Sequence, residues 1–279
     1  MVGSPSTLTQ PSRSVVIGSG PGSGKRKTVS LMSVLARGIG SLSLVGGPRA
    51  GRKPDHRRGA PQGGLASARQ SVKDGTRAGR RQGQGTDMQI RKARASDAPH
   101  LVRFINMAAD DLPLHFWRKT AGPEGDPWAL GAERAARETG NFSYQNAWLA
   151  EIDGAVGACL LGYPADEPGP IDPDTPPIFV PLLELEALAP GAWYLNVLAT
   201  YDDFRGKGLG SALLAHAETV ARAAGHASIS LIAADTHRDA LRLYAAKGYG
   251  EIARRPVVKD DWQVDANEWI LFTKPVAGA

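Results

Sequence analysis

The chain has a single cysteine, Cys159, in 279 residues. That excludes an internal disulfide and any zinc site built on a cysteine cluster. No run of 18 apolar residues occurs, so no transmembrane helix is expected. Residues 1–87 lack Phe, Trp and Tyr and hold three acidic residues against 15 Lys and Arg. They also hold 17 of the 33 glycines. Residues 88–279 carry all the aromatics, and 25 acidic residues against 18 basic. The two parts therefore have net charges of +12 and −7, and the overall +5 describes neither.

A Gly-, Ser- and Arg-rich segment without aromatics cannot bury enough apolar surface to offset chain entropy. Residues 1–87 are accordingly expected to be a disordered basic tail, or the product of a start assigned upstream of Met88. Phosphate attraction by residues 49–58 and a targeting role are the competing readings, and Arg37 interrupts the most apolar stretch, residues 31–45. Residues 15–26 imitate a phosphate loop, but Ser19 stands where the pattern needs Gly and Arg26 where it needs Ser or Thr. ATP or GTP binding there is rejected.

From Met88 onward the pattern predicts one domain, residues 88–279. A strand over 89–94 and a helix capped by 95–97 come first. A loop over 112–127 leads to a helix near 130–139, then to two strands joined by Asp153-Gly154, a hairpin turn. After a Pro- and Asp-rich loop, 164–177, a short helix is expected over 182–188 and a doubly buried strand over 193–200. A helix over 208–224, a strand over 228–233 and a helix to Lys247, opened by a capping box from Thr236 to Asp239, follow. Strands over 249–258 and 268–272 end the domain. The alternation predicts a mixed α/β fold.

The informative stretch is Phe204-Arg205-Gly206-Lys207-Gly208-Leu209-Gly210-Ser211, between a buried strand and an amphipathic helix. Glycines there expose backbone amides at a helix N-terminus, a cradle for phosphate, and Arg205 and Lys207 add charge. Its spacing is not that of the dinucleotide fingerprint.

Arg205-x-x-Gly208-x-Gly210 after a hydrophobic strand resembles the acyl-CoA motif of the GNAT superfamily of N-acyltransferases. Ala240-x-x-x-Tyr244 followed by Gly248-Tyr249 resembles the second family motif, and Ile90-Arg91-Lys92-Ala93-x-x-x-Asp97 resembles a family N-terminus. The resemblance implies a mixed, mostly antiparallel sheet flanked by helices, with a splayed central strand at the acyl-CoA site. It implies acetyl-CoA as co-substrate, with its pyrophosphate on the amides of Arg205 to Ser211 and its pantetheine arm along Leu198, Ala199 and Thr200. His237 stands where the family often has a CoA-binding Asn. Tyr244 stands at the family's general acid, where a phenol can protonate the departing thiolate. The general base is open. Residues 193–196 contain no carboxylate, so Glu186, Glu184, Asn196 and Tyr194 are the candidates.

The implied activity is transfer of an acetyl group to a primary amine of a small molecule or protein in a ternary complex. A non-catalytic acyl-CoA-binding module is the alternative. Asp166, Glu167, Asp172 and Asp174 would favour a cationic acceptor. His216-Ala217-Glu218 lacks the cysteines of a zinc deaminase, and no metal is expected. The expected location is cytoplasmic; the partners are an amine acceptor and optionally a second copy in a homodimer, without nucleic acid or membrane.

Overall fold

The computed structural model describes residues 87–165 and 167–276. The tail, its false phosphate loop and Asp166 lie outside the described residues. Seven strands form one sheet: β1 (Met88–Lys92), β2 (Ala147–Ile152), β3 (Ala155–Pro164), β4 (Trp193–Thr200), β5 (Ser228–Ala234), β6 (Gly250–Pro256) and β7 (Glu268–Pro275). Their order is β1-β2-β3-β4-β5-β7-β6, with every pair antiparallel except β4 and β5. This is the mixed, mostly antiparallel sheet expected.

Among the described residues six α-helices cover it. On one face lie α1 (Ala98–Ala108), α2 (Leu112–Ala121), α3 (Pro127–Ala135) and α4 (Val180–Glu186), which bury Leu101, Phe104, Phe116 and Leu185 against Leu149, Leu161 and Val197. On the other lie α5 (Leu209–Ala223) and α6 (Arg238–Ala246), which bury Leu213, Leu214 and Tyr244 against Leu160, Leu195 and Phe272. Each such large side chain contributes about 1.5–3 kcal/mol by leaving water. At the β2–β3 hairpin, Asp153 and Gly154 have φ of 51° and 78°, the paired left-handed residues that a tight primed turn requires.

Three expectations are corrected. Residues 112–127 are not a loop: Leu112–Ala121 is helical, because Pro113 falls in the first turn, where no helical N–H is needed. The next helix starts at Pro127 and ends at Ala135 rather than running to 139. No capping box opens α6; His237 is its N-cap without a side-chain cap bond, and Asp239 pairs with Arg242 instead.

Candidate active site

The site begins with a divergence between two parallel strands. β4 pairs with β5 only through Trp193, Tyr194 and Leu195. On the other edge β4 stays paired to β3 as far as Thr200. That ladder contains a bulge: Leu161 faces Val197 and Gly162 faces Leu195, leaving Asn196 as the extra residue. A bulge bends its strand and sharpens its twist. Gly162 is needed opposite, because a Cβ there would lie 2.1 Å from the Trp193 ring. Before the bulge all three residues are buried, whereas Asn196, Leu198 and Thr200 are half-buried.

The gap widens into a cleft of about 1250 Å³. At one end is the glycine turn, held by Phe204, whose ring occupies the space that a Cβ on Gly157 would fill. Gly206 and Gly208 have φ of 73° and 86°, a backbone that side chains disfavour. Gly210 serves closeness instead: a Cβ there would be 3.3 Å from Leu243 of α6. The first hydrogen bond of α5 runs from Ala212 N–H to the Gly208 carbonyl, so the amides of Leu209, Gly210 and Ser211 precede it. With no acid in this first turn, they and the helix dipole offer a positive terminus to an anion. Arg205 bonds to Asp202 at 3.0 Å, but both are largely exposed and the pair holds the guanidinium weakly. Lys207 lies 5.0 Å from the Phe204 ring.

The opposite wall is α6, which contributes His237 and Tyr244. Tyr244 is 5% exposed, between Tyr249 and Phe272, and burial pushes its phenol well above the ordinary value. It therefore holds its proton at neutral pH and can donate it.

On the β4 side the candidates separate. The Tyr194 hydroxyl hydrogen-bonds with the side chains of both Asn196 and Glu186, and burial first, then the Glu186 charge, drives its ionisation far upward. Asn196 lines the cleft; Glu186 reaches it through Tyr194 and Asn196. Glu184 does not belong here, because it pairs with Arg255 at 2.6 Å. The two residues are two positions apart on α4, and side chains at that spacing do not share a helix face. Glu167, Asp172 and Asp174 are exposed and line no part of the cleft. Cys159 is fully buried, and desolvation pushes its thiol upward, so it packs rather than reacts.

Pattern reading missed the corner between α1 and α2. Asp110 and Asp111 both line the cleft with left-handed φ of 46° and 66°, a conformation costing roughly 1–2 kcal/mol per residue. Asn106 holds the corner. Its backbone carbonyl accepts from Asp111 N–H at 3.2 Å, its side-chain oxygen from Leu114 N–H at 3.0 Å, and its amide nitrogen donates to Asp111. Asp110 bridges the mouth of the cleft: its Oδ1 accepts from His237 Nε2 at 2.8 Å, and its carbonyl from Trp262 Nε1 at 2.9 Å. The available signal was a pair of acids at a helix end, which is common on surfaces.

Among the described residues no group of three or more His, Cys, Asp or Glu could hold a metal, and no helix is long and apolar enough to cross a membrane.

No curated protein matches the chain. Solved structures similar to it include an acetyltransferase (24% identical, covering 68% of this chain and all of that one, TM-score 0.49). Another is an N-acetyltransferase from Staphylococcus aureus Mu50 (16%, 67% and 100%, TM-score 0.48). A third is the Drosophila melanogaster polyamine N-acetyltransferase that forms N-acetylagmatine (18%, 68% and 100%, TM-score 0.44). The model of the acetyltransferase (GNAT) family matches residues 109–249, which hold the glycine turn, the open edge of β4 and Tyr244. The chain belongs to the GNAT acetyltransferase family.

Proposed function

We propose that the protein moves an acetyl group from acetyl-CoA to a primary amine by direct attack, with both substrates bound together. One observation carries this reading: a single cleft joins the amides at the start of α5, the unpaired edge of β4 after Leu195, and Tyr244. These residues fit the co-substrate. Nothing lies within 4 Å of where a Cβ of Gly206 would stand, so a phosphate can approach the backbone there. The open edge of β4 supplies main-chain groups to an amide-bearing arm, and His237 lines the same wall. The co-substrate brings an acyl group activated as a thioester.

This chain's residues then do the following. The amides and charges of Arg205 to Ser211 hold the pyrophosphate, and Leu198, Ala199 and Thr200 align the arm. The Leu198 amide polarises the acyl carbonyl. The attacking nitrogen must shed a proton. It passes to Tyr194 Oη while the Tyr194 proton passes to Glu186, with Asn196 orienting the hydroxyl. On the other side Tyr244 Oη gives its proton to the leaving sulfur.

The test is thermal unfolding of the full chain with and without acetyl-CoA, together with release of free CoA thiol in the presence of amines. A ligand at about 100 times its Kd adds roughly 2.7 kcal/mol to stability. Stabilisation with amine-dependent thiol release is the expected result. Stabilisation with no release for any amine would favour the non-catalytic acyl-CoA-binding module, and no stabilisation would remove the reading.

A further inference from the structure

We infer that the acceptor is a primary amine with a short apolar arm, its ammonium docked on Asp110 and its arm in a chamber between α1, α2, α4 and β4. The inference rests on the acetyl-transfer reading and deepens it.

The chamber, of about 40 Å³, adjoins the cleft across Ala108, Asn196 and Ile232, which line both. Its remaining wall includes Ile105, Leu112, Pro113, Leu182, Val197 and Trp269. No charged side chain lines it. Trp269 is 4% exposed, and its indole N–H has no acceptor among the described residues. The space thus suits a compact alkyl arm, with polar groups only at Tyr194, Asn196 and the unpartnered indole N–H of Trp269.

Among the described acids of the cleft, Asp110 is the one with a buried carboxylate oxygen that has no partner. Asp111, Asp202 and Asp239 are exposed, and each gives one oxygen to Asn106, Arg205 and Arg242 respectively. Asp110 gives Oδ1 to His237, while Oδ2 is buried with no partner among the described residues. Its position is well defined. Trp262, which holds the Asp110 carbonyl, stacks on Trp269 at 6.1 Å with the rings 8° from parallel. Asp110 directly follows Ala109, which forms part of the chamber wall. An ammonium on Oδ2 therefore stands beside the entrance to the chamber.

This arrangement separates two classes of amine. A monoamine places its cation on Asp110 and its carbons among apolar walls. A diamine or polyamine threaded the same way would bury a second cation against walls lined by no charged side chain, which is unfavourable.

The experiment measures thiol release by the full chain for ethylamine, propylamine, isoamylamine, agmatine and spermidine, plus thermal stabilisation by each amine alone. We expect kcat/KM to climb along the three monoamines and to favour isoamylamine over agmatine and spermidine by about tenfold or more, since misfits of a methylene or two in an apolar pocket are worth about 10–200-fold. Ala109→Leu should raise the isoamylamine KM about tenfold at nearly constant kcat, while ethylamine is little affected. Asp110→Asn keeps a residue suited to the left-handed backbone. It should lower kcat/KM for every amine by about 10–100-fold and leave stabilisation by acetyl-CoA intact. A preference for agmatine or spermidine, or no gain from ethylamine to isoamylamine, overturns the acceptor assignment while the transferase reading stands. If no amine releases thiol, the transferase reading fails. Isoamylamine stabilising the native chain but not Ala109→Leu would still support the chamber, and its failure to stabilise the native chain would overturn it.

Discussion

The two halves of β4 differ in both pairing and burial. Trp193–Leu195 bond on both edges and are buried on both faces. Asn196–Thr200 bond on one edge only, every second residue is half-buried, and Asn196, Leu198, Ala199 and Thr200 line the cleft. The first half is core and the second borders the cleft, although one apolar run encodes both. The change occurs at one inserted residue, Asn196, where β4 turns away from β5. A rigid, doubly bonded segment thus holds an open one in place, and backbone groups that would otherwise join a ladder remain for a ligand.

The strongest way to break this contrast is to disturb the closed half. Gly162→Ala would press a methyl into the Trp193 ring, and overpacking costs about 1–3 kcal/mol, with the upper end expected for a 2.1 Å approach. The expected fall in melting temperature, read by calorimetry, should be accompanied by loss of acetyl-CoA stabilisation, because the bulge and the open edge share that ladder.

Tyr244→Phe probes the open half and should do the reverse. Turnover should drop about 100-fold, the lower end of the usual contribution of a positioned acid. Stabilisation by acetyl-CoA should stay. Unchanged turnover would remove Tyr244 from the proton path.

A pH series sharpens the same point. Burial raises the ionisation of Tyr244 and Tyr194 above the ordinary phenol value of 10.0. In the folded chain both protons are therefore retained as pH rises past 10, where the unfolded chain loses its own. Their contribution to stability is complete below pH 10 and declines above it. Turnover should accordingly show no alkaline loss from Tyr244 up to about pH 10.

The smallest effect is expected at the glycine turn. Gly206→Ala meets no steric neighbour, so its cost is the strain of a left-handed alanine, about 1–2 kcal/mol. A loss much larger than this would mean that the turn supports the core as well as the ligand.

Local chemistry explains what was legible. The glycine turn, Tyr244 and the amphipathic faces of α1, α4 and α5 depend on residues a few positions apart, and spacing reports them. The helix over Leu112–Ala121 was hidden because Pro113 and Gly122 bracket it, and both are common in loops. Glu184 and Glu186 look alike in the chain; only the helix phase, Arg255 on one side and Tyr194 on the other tell them apart. Asp110 was illegible as a site residue, since its partners His237 and Trp262 lie 127 and 152 positions away.

By itself the sequence determined most of the strands and helices, which faces they bury, and that a glycine-rich turn precedes a tyrosine-bearing helix. These follow from periodicity, glycine conformations and helix termini, all short-range. Tertiary structure alone decided where β4 parts from β5, which carboxylates meet the cleft, and that an uncharged chamber adjoins Asp110. Those depend on the seating of Trp193 over Gly162 and on contacts between distant segments, for which the one-dimensional pattern carries no coordinate.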